Sequence, residues 1–233
     1  MGAGLRDHRG LPRMSSSPAV TKRASDTTQD GEENVKVVWQ SSRQTAYHAM
    51  HFVKDTDALI IDLRKNGGGD PQMVQYLTSY LFADNTHLNS FYTRATNEIT
   101  EFWTMDDVPS FFATTPVFIL IGVATFSGAE EFAYNLQARK RAVIVGQPSR
   151  GGANPFAYFE LEGGFRAGIP VAMAVNPVTH TNWEGVGVAP DITVPEEQAL
   201  NRARMLALAG LRKNKTGYAL EEVQSAISAL HTQ

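Results

Sequence analysis

Apolar runs that end in a glycine or serine turn and then resume at helical spacing dominate the middle of the chain. Residues 57–63, Asp-Ala-Leu-Ile-Ile-Asp-Leu, form such a run. Near-continuous hydrophobicity of this kind predicts a strand buried on both faces of a sheet. The run ends in Arg64-Lys65-Asn66-Gly67-Gly68-Gly69, after which Asp70 as cap and Pro71 at the first helical position predict a helix. Met73, Val74, Leu77, Tyr80 and Leu81 form its buried stripe. The unit recurs: residues 116–121 predict a second apolar strand, a turn carries Ser127, and Ala129, Phe132, Ala133 and Leu136 mark the next helix. Two βα units of this type put their turns at the carboxyl ends of their strands, so the expected site lies along that edge and is shared between turns.

Around this centre the pattern is plainer. Residues 35–39, Val-Lys-Val-Val-Trp, predict a short strand, and residues 41–54 a helix through Tyr47, Met50 and Val53. Residues 142–145 read as a further strand and residues 146–155 as a Gly- and Ser-rich loop. Residues 156–161 and 165–175 predict a β-hairpin around Glu162-Gly163-Gly164. The C-terminal stretch reads as helices with Leu206, Leu220, Val223 and Ile227 facing inward. Residues 1–34 hold no aromatic side chain and have a Ser/Thr/Gly/Pro-rich texture, so a disordered tail is expected there and a folded core over 35–233.

Composition narrows the function. With 233 residues, 42% of them hydrophobic, one sizeable core is the expectation. A formal net charge of −3 and no long basic run give no electrostatic reason for a nucleic-acid partner, and no apolar stretch is long enough for a membrane span. The absence of cysteine removes disulfides, thiol nucleophiles and thiolate metal sites without fixing the compartment. His48 and His51 lie three apart without an interposed glutamate, so the zinc-protease pattern is absent and no metal site is expected.

Ser127 opens a helix, where backbone N–H groups lack intrahelical partners. Ser127-Gly128-Ala129-Glu130 also matches a capping box, and that structural role is the commoner one for such a serine. Thr125 stands where the nucleophile elbow of α/β-hydrolases needs glycine. Gly67, Gly68 and Gly69 free the backbone for a tight turn or a close approach to a ligand. No Gly-Lys-Ser/Thr follows them, so a Walker phosphate loop is excluded.

Residues 62–69 (Asp-Leu-Arg-Lys-Asn-Gly-Gly-Gly), 125–130 (Thr-Phe-Ser-Gly-Ala-Glu), Val145-Gly146-Gln147 with Gly151-Gly152, and 185–191 (Gly-Val-Gly-Val-Ala-Pro-Asp) occur in this order. In this the chain resembles the tail-specific, or carboxyl-terminal processing, serine protease family over about residues 46–200. It is most similar to the branch that includes interphotoreceptor retinoid-binding protein and the tricorn protease core. The resemblance implies an α/β fold with a ClpP/crotonase-like core, βα units, an additional β-hairpin and C-terminal helices. It implies a cofactor-free serine-type peptidase acting on peptide or protein substrates, with Ser127 as nucleophile. Gly128, with Gly68 or Gly69, would supply the oxyanion N–H groups, each such donor being worth about 3 kcal/mol.

The position that matches the lysine base of many members is Gly151. Glu184 matches the glutamate of the tricorn-like arrangement and would orient the base, while His48 and His51 are on the wrong element to act as that base. The general base is not assigned. Arg64 and Asp191 read as an ion pair or turn anchors near the site. The chain resembles a catalytic core without the upstream helical or PDZ region, and a homo-oligomer is compatible with it. The alternative reading is a binding module that holds an apolar ligand or a peptide without turnover.

Overall fold

The computed structural model describes residues 32–231. In chain order the elements are α1 (Glu32–Phe52), β1 (Leu59–Asp62), α2 (Pro71–Ser79), β2 (His87–Thr93), β3 (Glu98–Trp103), β4 (Val117–Ile121) and α3 (Gly128–Ala138). They continue through β5 (Val143–Gly146), β6 (Phe156–Glu160), β7 (Arg166–Pro170), β8 (Ala172–Val175), β9 (Ile192–Thr193), α4 (Ala199–Arg212) and α5 (Gly217–His231).

A parallel sheet of order β1-β4-β5-β9 forms the centre. Its register sets Leu59 beside Val117 and Asp62 beside Leu120, and then Phe118 beside Val143 and Ile121 beside Gly146. Side chains alternate across a strand, so β4, buried at all five positions, feeds two cores. Val117, Ile119 and Ile121 pack with Leu59, Ile144 and the inner faces of α2 and α3. Phe118 and Leu120 point the other way, onto Ala199, Ala203 and Ala207 of α4. Alanines one turn apart let that helix lie close on the sheet, and the apolar area they remove from water is worth about 25 cal/mol per Å². A continuous apolar strand is therefore what a two-sided sheet requires.

The helices carry the expected stripes. Asp70 caps α2 by accepting from the Gln72 N–H, and Val74 of α2, with Tyr80 and Leu81 just past its end, is buried. In α3, Ala129, Phe132, Ala133 and Leu136 are all buried. Val223 of α5 is buried, with Leu220 and Ile227 half-buried.

Two readings change, and one lies mostly outside the described residues. Residues 35–39 are part of α1 rather than a strand. No glycine or proline interrupts residues 32–54, so nothing stops the helix, and the β-propensity of a short valine run is a weak preference beside that continuity. The expected tail of residues 1–34 lies outside the described residues except for its last three, which open α1. The hairpin forms as β6 against β7, from Phe156↔Pro170 to Glu160↔Arg166, but its second arm ends at Pro170. Residues 172–175 instead form β8, antiparallel to β2 in a sheet of order β3-β2-β8. Proline fixes φ and offers no N–H, which suits it to the point where one chain leaves one sheet for another.

Candidate active site

The two βα turns belong to neighbouring parallel strands, and they meet. The Phe126 N–H donates to Asn66 O (3.1 Å), and Asn66 Oδ1 accepts from the Gly68 N–H (2.9 Å). A Cβ built on Gly68, whose φ is +105°, would lie 2.7 Å from the Ser127 Cβ and 2.9 Å from the Gly128 N. One built on Gly128 would lie 2.8 Å from Gly69 O and 3.1 Å from Gly69 N. Only residues without a Cβ allow backbones this close. Of the three glycines at the contact of the two turns, Gly68 gives its N–H to Asn66, while the Gly69 and Gly128 N–H groups have no hydrogen-bond partner among the described residues.

Ser127 itself is half-buried, with φ 53° and ψ −124°. A left-handed φ on a non-glycine residue costs about 1–3 kcal/mol and persists only where its surroundings over-determine it. Thr125 supplies part of that constraint. Its buried hydroxyl donates to Leu63 O (2.7 Å) and accepts from the Gly122 N–H (3.0 Å), tying the end of β4 to the end of β1. The turn is thus a strained strand-to-helix elbow even though its sequence lacks the elbow glycine at 125.

Glu130 closes the elbow from below. It is fully buried, and four donors converge on its carboxylate. Oε2 accepts from the N–H groups of Ser127 (2.7 Å) and Gly152 (2.9 Å), while Oε1 accepts from the Gly151 N–H and the Ser149 hydroxyl (both 2.6 Å). The glutamate arm of the capping box is therefore present, and it also reaches the loop of residues 149–152. Phe126 lies over that loop, its ring against Gly152, where a Cβ would be 2.1 Å from the nearest ring carbon. The Arg150 guanidinium sits 5.1 Å from the same ring's centroid.

Glu184 anchors the far end of the loop. Its Oε2 accepts from the Ala153 (2.7 Å) and Asn154 (2.9 Å) N–H groups, and no donor reaches its Oε1 among the described residues. The side chain is exposed. Four consecutive amides, 151 to 154, are thus divided between two carboxylates, and the Gly185 N–H returns to Gly151 O (2.9 Å). Gly151 has φ +90°, and a Cβ there would lie 2.9 Å from Gly187 N and 3.0 Å from Val186 N. Position 151, expected from the resemblance to match a lysine base, has no room for a side chain.

No lysine or histidine side chain hydrogen-bonds to Ser127 among the described residues. His51 donates from Nδ1 to Tyr47 O (2.9 Å) and packs against Tyr47 and Phe111, away from the elbow. His180 is an exposed loop residue with φ 56°. Arg64 does not pair with Asp191. It forms a two-pronged pair with Asp62 (2.6 and 2.9 Å) and donates to Glu196 O (2.7 Å), whereas Asp191 accepts from the Ile144 N–H and from Gln137. Both are anchors at the strand ends. Burial opposes ionisation of Asp62, but the Arg64 hydrogen bonds outweigh it and hold the carboxyl below its ordinary range.

The sequence reading passed over Glu131. It is buried on α3 one turn from Ser127, and burial pushes its carboxyl up to about 8, with the nearby Asn89 amide opposing and Asp70 adding to the rise. Glu131 in an otherwise apolar stripe, between Glu130 and Phe132, was the available signal. No group of three or more acidic or histidine side chains with the spacing to hold a metal ion occurs among the described residues.

The chain is similar to several known proteins. The carboxyl-terminal-processing peptidase 2, chloroplastic, of Arabidopsis thaliana is 28% identical over 143 residues, 61% of this chain and 27% of the relative. A carboxyl-terminal-processing protease of Synechocystis is 26% identical over 193 residues, 79% of this chain and 44% of the relative. The chain thus spans well under two thirds of the length of these relatives. Among solved structures, the photosystem II D1 C-terminal processing protease superposes with a TM-score of 0.50 at 20% identity, over 72% of this chain and 40% of that one. Mature CPAF superposes with a TM-score of 0.54 at 17% identity, over 68% and 43%. Likeness at that identity concerns the fold, which is the expected α/β, ClpP/crotonase-like core. Residues 30–194, most of the chain, match the model of Peptidase family S41, and the chain belongs to that family.

Proposed function

We propose that this chain carries the acyl-transfer centre of a serine-type peptidase that cleaves peptide or protein substrates through an acyl-enzyme. Ser127 is the nucleophile. Its hydroxyl attacks the scissile carbonyl, the carbonyl oxygen becomes an oxyanion, and the Gly128 and Gly69 N–H groups receive it. Collapse of the intermediate breaks the scissile C–N bond and expels the amine with the serine proton, and water then hydrolyses the Ser127 ester to the free acid. The observation that carries this reading is the junction of the two turns, with Gly68 against Ser127 and Gly69 against Gly128.

Of the two glycines expected as second donor, Gly69 is favoured because the Gly68 N–H is engaged by Asn66. Glu184 is a support for the base. Two amides hold its Oε2, and Oε1 is free to accept from the group that takes the serine proton. A lysine at position 151 is not that group, since the residue is glycine in a space closed by residues 185–187.

Activity-based labelling tests the nucleophile. A fluorophosphonate should label the wild-type chain on Ser127 and leave Ser127→Ala unlabelled. Equal labelling of both would overturn the proposal. Saturable retention of a fatty acid or retinoid by an unlabelled wild type, unchanged in Ser127→Ala, would support the binding-module alternative instead.

A further inference from the structure

We infer that Glu130 is a positioning residue for acyl transfer, acting through the elbow and the loop of residues 149–152 rather than on substrate. The inference rests on the assignment of Ser127 as nucleophile. A helix cap needs one acceptor for one or two first-turn N–H groups. Glu130 does more than that: of its four donors, one belongs to the elbow and three to the loop. The carboxylate is fully buried, and all four partners are N–H or O–H donors, so the charge is met by hydrogen bonds rather than by a cation.

Two consequences follow for the site. With its N–H held by Glu130, Ser127 keeps the left-handed φ, and the next N–H, that of Gly128, stays free for an oxyanion. The loop is fixed at the same time. Gly151 and Gly152 are drawn under Phe126, and the continuation of the chain presents the Ala153 and Asn154 N–H groups to Glu184. Glu130 thereby sets the position of Glu184 relative to Ser127, although the two carboxylates share no partner. A side chain that only capped α3 would influence stability and leave this relation alone.

The test compares wild type, Glu130→Gln and Ser149→Ala by the rate of fluorophosphonate labelling per folded molecule, with folding read from the cooperative thermal transition. Glutamine keeps the volume but replaces one acceptor oxygen by a donor, so either the elbow N–H or the loop loses its partner. A folded Glu130→Gln that labels roughly a hundredfold more slowly than wild type is the expected result. Its peptide KM should change by less than about threefold, because the loss falls on the transition state. A Glu130→Gln that melts lower yet labels at the wild-type rate would overturn the inference and leave Ser127 standing. If Glu130→Gln does not fold, Ser149→Ala decides. It removes one donor to Oε1, and slower labelling supports the inference while an unchanged rate overturns it. Failure of wild type itself to label would instead strike the nucleophile assignment on which the inference rests.

Discussion

Gly68 approaches Ser127 so closely that a methyl group on its Cα would sit 2.7 Å from the serine Cβ and 2.8 Å from Phe126 O. The turn after β1 and the turn after β4 are therefore one structure, held by the Asn66 bonds to Phe126 and Gly68. Gly68→Ala meets both a clash with backbone and a φ of +105° that alanine resists. The expected cost is about 1–3 kcal/mol of stability, together with loss of labelling at Ser127 because the turns must part. Gly67→Ala is the control: its Cβ meets nothing within 4 Å, and its labelling rate should be close to wild type. Equal behaviour of the two variants would refute the junction.

Glu131 makes stability depend on pH. Its carboxyl is pushed up to about 8 in the folded chain from an ordinary value of 4.5, chiefly by burial. A group whose folded pKa is raised contributes stability that is fully present below the unfolded pKa and is lost as pH rises through the folded one. The wild type should therefore lose stability relative to Glu131→Gln between about pH 4.5 and 8 and show a constant difference above that range. The difference is on the order of a few kcal/mol. Denaturant midpoints of the two proteins measured across the range check it, and parallel curves would show that Glu131 is not the source.

The βα units were legible because their signals are local and redundant: an apolar run, a turn, a cap and a stripe all agree at residues 57–81 and again at 116–136. Ser127, the glycine triplet and Glu184 could be named from motif order. What stayed hidden were relations that no local pattern encodes. That Asn66 removes the Gly68 N–H, or that Glu130 reaches Gly151 and Gly152, depends on loops far apart in sequence packing together. The β3 strand went unread because Glu98 to Trp103 is mostly exposed, so its residues answer to cross-strand pairing with β2 rather than to burial, and β2 because two of its three buried residues, Asn89 and Ser90, are polar. The misread strand at 35–39 has the opposite cause, a β-branched run taken at face value where helical continuity decides.

A lysine introduced at position 151, which the resemblance matches to a lysine base, should not create a serine–lysine pair here. Gly151 holds φ +90°, its N–H is bound by Glu130, and a Cβ would press on Gly187 N, Val186 N and Gly185 C at 2.9–3.1 Å. These neighbours are backbone atoms of a segment itself tied back by the Gly185 N–H to Gly151 O, so they cannot yield without opening the loop. Gly151→Lys and Gly151→Ala should therefore lose stability to a similar extent, about 1–3 kcal/mol, because the clash arises at Cβ and not at the amine. Both should label at Ser127 more slowly than wild type, since the loop carries the donors to Glu130 and Glu184 alike. Faster labelling by Gly151→Lys than by Gly151→Ala, rising with pH as an amine deprotonates, would mean that the amine reaches Ser127 after all and that the closed loop is not the barrier.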